Sequence, residues 1–298
     1  MLDVIIVGGG PAGLDAALIL GRCRRSVLLI DAGRPRNAVS RGVNGFLTRD
    51  GVLPGEMRRI GREQLAPYEN VRLQAGEVTD ARRTEDGFEV VLKDGSREKS
   101  RKLLLATGLF DDLPDIPGFR DLYGRAVFNC PYCDGWEERD RALAVYGAGD
   151  GGCGFAVEMR VWSQDIVLFT DGDTTMSAEA RARLARNGIT LREEKIAVLE
   201  ADGERLRAVR LDSGEAIPRE ALFFTHVERL GCTIIRALGC DVSAKGTVKT
   251  GPYETTNVPG LYVAGDASRR VQFAIVAAAE GAMAAFAINT ELANEDFP

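Results

Sequence analysis

The stretch Val4–Gly13, VIIVGGGPAG, decides the fold of this chain. Its first four residues are apolar and β-branched, which is typical of a buried parallel strand, and its glycines form a G-x-G-x-x-G turn. Apolar residues follow at helical spacing from Leu14 to Leu20, and the next apolar strand, Ser26–Asp31, ends in an acid. This order predicts a βαβ unit that binds a dinucleotide.

Each glycine of the turn has its own role in such a unit. Gly8 permits the tight turn, Gly10 lets a pyrophosphate approach the backbone, and Gly13 lets the helix pack closely on the strand. The helix that begins near Pro11 supplies N–H donors, and Asp31 stands where a carboxylate accepts from a ribose hydroxyl. A glycine turn without a ligand is the alternative, but the complete unit favours a cofactor site.

The same pattern returns later in the chain. Ala142–Tyr146 is a strand, Gly147–Gly152 is a second glycine turn, Phe155–Trp162 has helical spacing, and Ile166–Phe169 is a strand. The spacing within the two units nearly matches. We interpret this as an internal repeat of a whole domain type.

Other segments indicate how the two domains are arranged. Phe88–Gly95 has strand alternation and an Asp-Gly turn, and the proline-rich Leu113–Gly118 reads as a linker. Near the end, the strand Gly260–Asp266 precedes the alanine-rich helix Phe273–Ile288, which we expect to return to the first domain. The sequence therefore predicts an α/β protein of two Rossmann-like three-layer domains, the second inserted in the first. The expected bounds are residues 1–112 and 244–298 for the first domain and 113–243 for the inserted one.

The inserted domain carries a redox motif, Cys130-Pro131-Tyr132-Cys133. Cysteines at this spacing close a reducible disulfide, and one thiolate becomes a good nucleophile. Between two nucleotide turns the pair predicts a flavin-linked thiol–disulfide oxidoreductase, with a structural or metal-binding CxxC as the alternative. A single CxxC and a single histidine, His226, predict no metal site. The remaining cysteines are expected to be small buried residues: Cys23, Cys153, Cys232 and Cys240.

Composition excludes several classes of function. The 298 residues carry a net charge of −6, which disfavours nucleic acid as a partner. We find no uninterrupted apolar stretch long enough to span a bilayer and expect no membrane partner. The N-terminus enters a strand directly and lacks a basic n-region, so we expect no signal peptide and a cytoplasmic protein.

Four segments together resemble the low-molecular-weight thioredoxin reductase family: Gly8–Gly13, Ala106–Gly108, Cys130–Asp134 and Ala264–Asp266. The resemblance covers essentially the whole chain and implies FAD on the first domain, a homodimer and a mobile second domain. Asp266 is then near the ribityl chain and Gln272 near the isoalloxazine ring. The residues that we assign to the cofactor are Gly8, Gly10, Pro11, Ala12, Gly13, Asp31, Ala106, Thr107, Gly108, Gly265, Asp266, Gln272, Phe273 and Ala274.

The resemblance also implies three catalytic roles. Cys133 faces the flavin and receives its electrons, Cys130 attacks the substrate disulfide, and Asp134 moves the proton that the exchange requires. A helix N-cap is the other role open to Asp134. Relatives that oxidise dithiols often carry histidine after the second cysteine, so the aspartate favours reduction. Thioredoxin or another small disulfide is the expected substrate.

The second glycine turn departs from the family. Gly147, Gly149 and Gly152 fit the motif, but Thr170–Asp173 places carboxylates where relatives that use NADPH place basic residues. We therefore do not expect NADPH, whereas Asp171 leaves NADH open as a ribose ligand. The family usually has a glycine turn after the strand at residues 223–228, and this chain has none. A domain that keeps its shape without a nucleotide is the alternative.

The electron donor is therefore open among NADH, ferredoxin and a second flavin. Residues 1–62 contain ten arginines, no lysine and five acids. Arginines that shared one face would suit an acidic electron-donor protein or a phosphate-bearing cofactor, and an ordinary solvated face is the alternative. Trp136 either packs over a flavin or substrate or belongs to the core, and Trp162 is expected in the core. A dithiol oxidase that uses oxygen and a flavin-bearing redox sensor are the other functions left open.

Overall fold

The computed structural model describes residues 1–225, 227–244, 246–269 and 271–298. The chain divides into two compact units. The first unit comprises Met1–Ala38, Gly45–Phe110 and Glu228–Pro298, and the inserted unit comprises Val39–Asn44 and Asp111–Val227. The bounds of the inserted domain that we expect from the sequence, residues 113 and 243, remain a prediction.

The helices and strands are numbered in chain order. The elements before the insertion are β1 Leu2–Val7, α1 Pro11–Arg22, β2 Val27–Asp31, α2 Pro54–Leu65, β3 Val71–Ala75, β4 Val78–Thr84, β5 Gly87–Leu92, β6 Arg97–Leu105 and β7 Leu109–Asp112. Those that follow, up to the return of the chain, are α3 Phe119–Leu122, β8 Val127–Phe128, α4 Pro131–Asp134, β9 Leu143–Tyr146, α5 Gly149–Glu158, β10 Ile166–Phe169, α6 Ala178–Arg186, β11 Thr190–Arg192, β12 Ile196–Asp202, β13 Arg205–Leu211, β14 Ala216–Pro218 and β15 Ala221–Phe224. The closing elements are β16 Val227–Leu230, α7 Ile234–Ala237, β17 Leu261–Val263 and α8 Ala274–Asp296.

A seven-stranded mixed sheet forms the centre of the first unit, in the order β3-β2-β1-β6-β5-β4, with β17 also paired to β6. Strand β1 is parallel to β2 and β6, and Val4 lies opposite Val27 and Lys102. The nine-residue β6 has two partners along its length: its start pairs antiparallel with β5, and Leu103–Leu105 pairs parallel with β17. The carboxyl ends of β1, β6 and β17 therefore meet at one edge of the sheet.

Alternate residues of β1 fill two different cores. Val4 and Ile6 belong to the core beneath α1 and α8, whereas Ile5 and Val7 belong to the core on the opposite face. Helix α8 approaches α1 so closely that a Cβ at Gly281 would lie 2.0 Å from the Ala12 carbonyl oxygen. The sheet thus has a core on both faces, as a three-layer α/β domain requires.

The inserted unit repeats this plan with a five-stranded parallel sheet, β11-β10-β9-β15-β8, and a three-stranded antiparallel sheet, β12-β13-β14. Ala144 on β9 faces one core, and its neighbours Leu143 and Val145 face the other. Helix α5 begins at Gly149, six residues before the helix predicted from apolar spacing, because the glycine turn itself supplies the first helical turn. The predicted fold class of two Rossmann-like domains is confirmed.

Two sequence expectations need correction in the described part of the chain. Helix α8 is long and apolar enough to cross a membrane by length and composition. Polar residues interrupt its apolar run, so it does not form an uninterrupted apolar stretch in the sequence. Its length and composition are weak evidence for a membrane, since core helices pass the same test and α8 packs on α1 through Ala284 and Ile288. Cys23 is exposed rather than buried because it lies just beyond the end of α1.

Candidate active site

The two motif cysteines form a disulfide in the inserted unit, with their Cα atoms 5.3 Å apart. Cys130 has extended backbone just before the short helix α4, and Pro131 opens that helix. The N–H groups of Cys133 and Asp134 both donate to the Cys130 carbonyl at 3.2 Å, which closes the turn around the pair. Both cysteines are half-buried, so neither sulfur is sealed in a core.

Asp134, the last residue of α4, is a half-buried acid directly after the second cysteine. Burial raises the pKa of its carboxyl to about 7, and the negative charges of Glu137 and Glu138 contribute to the increase. Cys130 occupies the N-cap position of α4, so the interpretation of Asp134 as an N-cap residue is wrong. Near neutral pH this carboxyl can both donate and accept a proton beside the disulfide.

Asn44 supports the redox turn from a distant part of the sequence. Its Nδ2 donates to the Cys133 carbonyl at 2.7 Å, and both residues belong to the inserted unit. The hydrogen bond spans 89 residues, and no motif marks Asn44, so sequence reasoning missed it.

Exposed aromatic side chains flank the disulfide. Tyr132 is 65% exposed and Trp136 is 66% exposed, so the core interpretation of Trp136 is wrong. The Arg139 guanidinium lies 3.9 Å from the centre of the Trp136 ring. The Tyr132 ring meets Trp162 edge-on at 5.5 Å, and Trp162 is half-buried at the margin of a core, as expected. The inserted unit thus presents an aromatic surface next to its redox pair.

The first glycine turn has the close approaches that its motif predicts. Gly8 has a left-handed φ of +115°, and a Cβ there would lie 2.2 Å from the Ala106 carbonyl oxygen. A Cβ on Gly13 would lie 1.9 Å from the Gly8 carbonyl oxygen. Neither position has room for a side chain, because strand, turn and helix are packed backbone against backbone.

Gly10, by contrast, faces open space. Within the described part of the chain, no atom beyond the neighbouring residues lies within 4 Å of a Cβ placed there. Helix α1 begins immediately afterwards with Pro11 and Ala12, without a capping side chain and without an acid in its first turn. Its N–H groups are free to bind an anion, so this turn fits the pyrophosphate of FAD.

Asp31 lies where the motif predicts, but it already has partners. Its carboxylate accepts from Arg58 at 2.6 Å, from Arg62 at 2.5 Å and from the Gly33 N–H at 3.0 Å. Burial opposes ionisation, but these donors outweigh it and hold the pKa of Asp31 below its usual value. Arg58 also donates to the Gly9 carbonyl at 3.3 Å, so it links the glycine turn to the acid. No local motif identifies Arg58 as a part of this site.

The end of β6 lies beside the first turn. The Ala106 N–H donates to the Val7 carbonyl at 2.8 Å, and Gly108 has a left-handed φ of +61°. A Cβ on Gly231 would lie 2.3 Å from the Thr107 carbonyl oxygen, so another segment of the first unit crosses closely here. The structure therefore brings Ala106, Thr107 and Gly108 to the glycine turn, as the sequence predicts for a cofactor site.

Residues at the start of α8 complete this edge. Phe273 is the N-cap of α8 and Ala274 its first residue. Arg36 donates to Gln272 Oε1 at 2.5 Å and to Asp266 Oδ2 at 3.3 Å, which ties together two residues predicted to contact the flavin. Arg36 is a further site residue that the sequence motifs did not reveal.

The second glycine turn is built like the first. A Cβ on Gly152 would lie 2.4 Å from the Gly147 carbonyl oxygen, and Gly149 has a left-handed φ of +54°. The backbone therefore has the form that a dinucleotide requires. What differs is the chain that follows β10.

Carboxylates after β10 make protein contacts in the inserted unit. Asp171 has a left-handed φ of +53°, and its Oδ1 accepts from the Ile196 N–H at 2.9 Å. Asp173 accepts from the hydroxyl and N–H of Thr175 at 2.7 and 3.0 Å, and the nearby Gly149 N–H also favours its ionised form. The Thr175 donors are the main reason that the pKa of Asp173 lies below its usual value. Asp173 thus supplies a carboxylate to the helix end that would receive a pyrophosphate.

A second contact ties the same loop to α5. The Ser177 N–H donates to Asp150 Oδ1 at 2.8 Å, and Thr175 Oγ1 would be 3.2 Å from a Cβ on Gly149. We call residues 171–177 the strap, because the hydrogen bond from Ser177 to Asp150 holds this segment against the start of α5. His226, in the stretch where the family has a further glycine turn, lies outside the described residues.

Comparison with known proteins decides the family. The model for pyridine nucleotide-disulphide oxidoreductases matches residues 2–281. The chain belongs to this family. It is therefore a flavin-dependent disulfide oxidoreductase, and membership implies FAD and a nicotinamide cofactor. The resemblance to thioredoxin reductases predicted from the motifs is confirmed.

Individual relatives carry thioredoxin reductase names. Thioredoxin reductase tcpT of Claviceps purpurea is 31% identical over 89% of this chain and 86% of that protein. A probable thioredoxin reductase of Arthroderma benhamiae is 38% identical over 57% of this chain, which spans only 44% of that protein. A solved structure from Bacillus anthracis, provisionally described as thioredoxin reductase TrxB, is 33% identical over the full length of both chains, with a TM-score of 0.95.

The arginine-rich N-terminal region of this oxidoreductase is largely neutralised by local acids. Within it, Arg59 pairs with Glu56 and Glu63 on α2, and Arg25 pairs with Asp296. Arg58 and Arg62 both bind Asp31, as described above. The pattern fits ordinary paired arginines better than one basic face for a protein partner.

A buried ion network underlies the Gly265–Asp266 turn of this oxidoreductase. Glu280 on α8 accepts from the Gly265 N–H at 2.7 Å and from Arg269 Nε at 2.5 Å. Arg269 also donates to both oxygens of Glu254, at 2.7 and 2.8 Å. Glu254 is 1% exposed and Glu280 is 5% exposed, and burial raises the pKa of each. The network fixes the backbone that precedes Asp266.

Replacing Glu280 by alanine is expected to weaken FAD binding by about tenfold or more and to lower the free energy of unfolding by about 3 kcal/mol. The change leaves the Gly265 N–H and Arg269 without their buried acceptor. FAD affinity is measured by fluorescence during reconstitution of the apoprotein, and stability by denaturant unfolding. Glu280→Gln is the matched control, because it keeps an acceptor for Gly265 and should retain most of the affinity. Normal FAD binding by Glu280→Ala would remove the network from the cofactor site.

Proposed function

We propose that this oxidoreductase reduces a substrate disulfide with electrons from FAD, passed through the Cys130–Cys133 pair. The observation that carries the proposal is the half-buried disulfide followed directly by Asp134, a carboxyl with a pKa of about 7. Thiol–disulfide exchange needs a nucleophilic sulfur, a second sulfur that releases the product, and a group that moves protons near neutral pH. The three residues supply these functions in one short turn.

The chemistry balances as a two-electron transfer. When FAD is bound in its reduced form, it would supply the two electrons and two protons that convert the disulfide to two thiols. The Cys130 thiolate then attacks one substrate sulfur, and the first product thiol leaves with a proton from Asp134. Asp134 then takes the proton of Cys133, whose thiolate attacks Cys130 Sγ and restores the disulfide, and the second product thiol leaves with that proton. The pair loses two electrons, and the substrate gains two electrons and two protons.

Thioredoxin or another small disulfide is the proposed substrate. The exposed rings of Tyr132 and Trp136 beside the pair support a partner with an apolar surface around its disulfide. The test is anaerobic mixing of the photoreduced protein with oxidised thioredoxin and with 5,5′-dithiobis(2-nitrobenzoate), following flavin reoxidation. Faster reoxidation by oxygen in the presence of small dithiols, with no reaction toward disulfides, would indicate a dithiol oxidase instead.

The pH dependence of exchange is expected to follow Asp134. Its pKa in the folded protein is about 7, above the ordinary value of 3.8, so the proton that it donates is present below pH 7 and lost as pH rises through 7. Release of the first thiol should slow above about pH 7, and Asp134→Asn should be about a hundredfold slower without this inflection. Stopped-flow rates across pH 5.5–9 test both expectations.

Glu137→Gln provides the matched control for that profile. It removes a negative charge that raises the pKa of Asp134, so the inflection should move to lower pH while the maximal rate changes little. An inflection that stays in place in Asp134→Asn would assign the proton transfer to another group.

The raised pKa also means that the folded state binds the proton more tightly than the unfolded chain. The contribution of Asp134 to stability is therefore lost between about pH 4 and pH 7 as pH rises.

The electron donor is a separate proposal. Family membership implies a nicotinamide cofactor, but Asp173 and the strap support the alternative in which ferredoxin or a second flavin reduces the FAD. A carboxylate that already lies near the start of α5 opposes pyrophosphate binding in two ways. It occupies part of the space that the pyrophosphate needs, and its negative charge repels the negative charge of the pyrophosphate. The two acids at 171 and 173 disfavour NADPH further, since its 2′-phosphate adds negative charge.

Titration with nucleotide tests this donor proposal. Anaerobic addition of NADH and then NADPH is expected to leave the flavin oxidised, whereas dithionite bleaches it normally. Asp173→Ala removes the carboxylate near the Gly149 N–H and is expected to strengthen NADH binding by about tenfold, with Asp202→Ala as the control in an exposed turn. Prompt bleaching of the parent protein by NADH, at one FAD per chain, would establish a nucleotide-driven reductase. More than one flavin per chain would support the second flavin.

A homodimer is also proposed, as the family resemblance implies. Helix α8 exposes three apolar side chains, Ile275, Met283 and Phe286. The centres of the Phe286 and Tyr253 rings are 5.7 Å apart. An exposed apolar face of this kind supports association with a second copy. Light scattering after size-exclusion chromatography tests the assembly, with Phe286→Glu as the disrupting variant.

A further inference from the structure

A cavity lies between α1 and α2 of the first unit, apart from the redox pair. Its volume is about 220 Å³. That exceeds the ~150 Å³ cavity that holds benzene and falls below the ~300 Å³ of the smallest usual cofactor pockets. The cavity therefore suits a molecule of about amino-acid size rather than a dinucleotide.

One wall carries an acid without a partner. Asp15 lies on the face of α1 that also presents Leu14 and Leu18 to the cavity. Its carboxylate has no hydrogen bond or ion pair with the residues that the structure describes, and burial alone raises its pKa. A half-buried carboxylate that its own protein leaves unsatisfied indicates that a ligand supplies the missing donor.

A positively charged residue, Arg49, lies on the loop before α2. Arg49 lines the same cavity, and the one hydrogen bond of its guanidinium within the described residues goes to the neighbouring Thr48 carbonyl at 3.1 Å. Arg49 and Asp15 do not pair with each other, so more than 4 Å separates their charged atoms. The cavity thus offers one acceptor and one donor, both charged and both available.

The remaining lining is mostly apolar, with Thr48 and Gln64 as further polar side chains. Phe46, Met57 and Ile60 add apolar surface to that of the two α1 leucines. Arg58 also reaches the wall, but Asp31 and the Gly9 carbonyl occupy its guanidinium. The site therefore combines one free negative charge, one free positive charge and an apolar surface.

We propose that this cavity binds a small zwitterion, a free α-amino acid with an apolar or thioether side chain. The ammonium group donates to Asp15, the carboxylate accepts from Arg49, and the side chain lies against Leu14, Leu18 and Met57. A zwitterion supplies a partner to both charged groups, whereas a simple cation or anion would satisfy only one of them. The proposal does not depend on the proposed disulfide reduction.

Calorimetric titration of the FAD-loaded full chain with L-methionine and L-leucine tests it. We expect a dissociation constant of about 1 mM or lower for at least one of them. Methionine amide lacks the carboxylate and N-acetylmethionine lacks the ammonium group, and each should bind about tenfold more weakly or not at all. Equal binding of either derivative, or no binding of both amino acids, overturns the proposal. If groups of FAD itself fill the cavity, the loaded protein will not bind, and that outcome also overturns it.

Variants assign the two charges separately. Asp15→Asn and Arg49→Gln should each weaken methionine binding by about tenfold or more. The matched controls are Asp86→Asn and Arg24→Gln, which change exposed residues outside the cavity and should leave binding unchanged. Should Asp15→Asn fail to fold, Arg49→Gln on the exposed loop still decides the result. Binding that survives both cavity variants would place the amino acid elsewhere.

Discussion

Cys130→Ser is expected to lower the rate of substrate-disulfide reduction by at least about a thousandfold. A serine hydroxyl is not ionised near neutral pH and cannot form the mixed disulfide with the substrate. FAD content should be unchanged, because the cofactor turn lies in the first unit. The measurement is reoxidation of the photoreduced protein by oxidised thioredoxin in a stopped-flow instrument.

Cys133→Ser is expected to fail at a different step. Cys130 can still attack the substrate, but no second thiol releases it, so a stable mixed disulfide should accumulate and be detected by intact-mass spectrometry. Cys23→Ser is the control, since Cys23 is an exposed free cysteine outside the motif. A Cys130→Ser protein within tenfold of the parent rate would place the exchange at other sulfurs.

Two glycine substitutions in the first turn are expected to differ in their effect on folding, although both weaken FAD binding. Gly13→Ala places a Cβ 1.9 Å from the Gly8 carbonyl oxygen, which should cost about 3 kcal/mol of unfolding free energy and abolish FAD binding. Gly10 has an ordinary φ of −81° and open space around its Cβ, so Gly10→Ala should leave the apoprotein as stable as the parent. Its methyl group would nevertheless occupy the pyrophosphate space and weaken FAD binding by about tenfold or more.

Denaturant unfolding of the apoproteins and fluorescence titration with FAD separate the two effects. The pair is informative because Gly10→Ala acts as a folding control for Gly13→Ala. Normal FAD affinity in Gly10→Ala would show that the pyrophosphate does not lie over this turn. A Gly13→Ala protein that folds and binds normally would contradict the packing of α1 on β1.

Local pattern was sufficient to predict both βαβ units. Alternate residues of β1, a glycine turn and a helix with apolar spacing are neighbours in sequence, and their structure depends mainly on neighbours. The redox turn was predictable for the same reason, since Cys130 and Cys133 are closed by hydrogen bonds within four residues. The predicted helix in the second unit began too late because apolar spacing does not register a helical turn made of glycines.

Contacts between distant residues were not predictable. Asn44 holds the Cys133 carbonyl across 89 residues, and Arg36 reaches Asp266 across 230. A polar side chain in a loop can point in many directions, and only the packed chain selects its partner. The same limit applies to Asp134, because its neighbours in sequence left an N-cap role open that only the position of α4 excludes.

The sequence by itself determined the two-domain architecture, the position of the two glycine turns and the cysteine pair that forms the disulfide, because each depends on residues close together in the chain. Tertiary structure alone decided that Asp31 is held by Arg58 and Arg62, that Glu280 supports the Gly265 backbone, and that Asp173 lies near the second glycine turn. The physical reason is that burial and hydrogen bonding arise from packing between elements. They set the charge and the availability of each group, and the order of residues fixes neither.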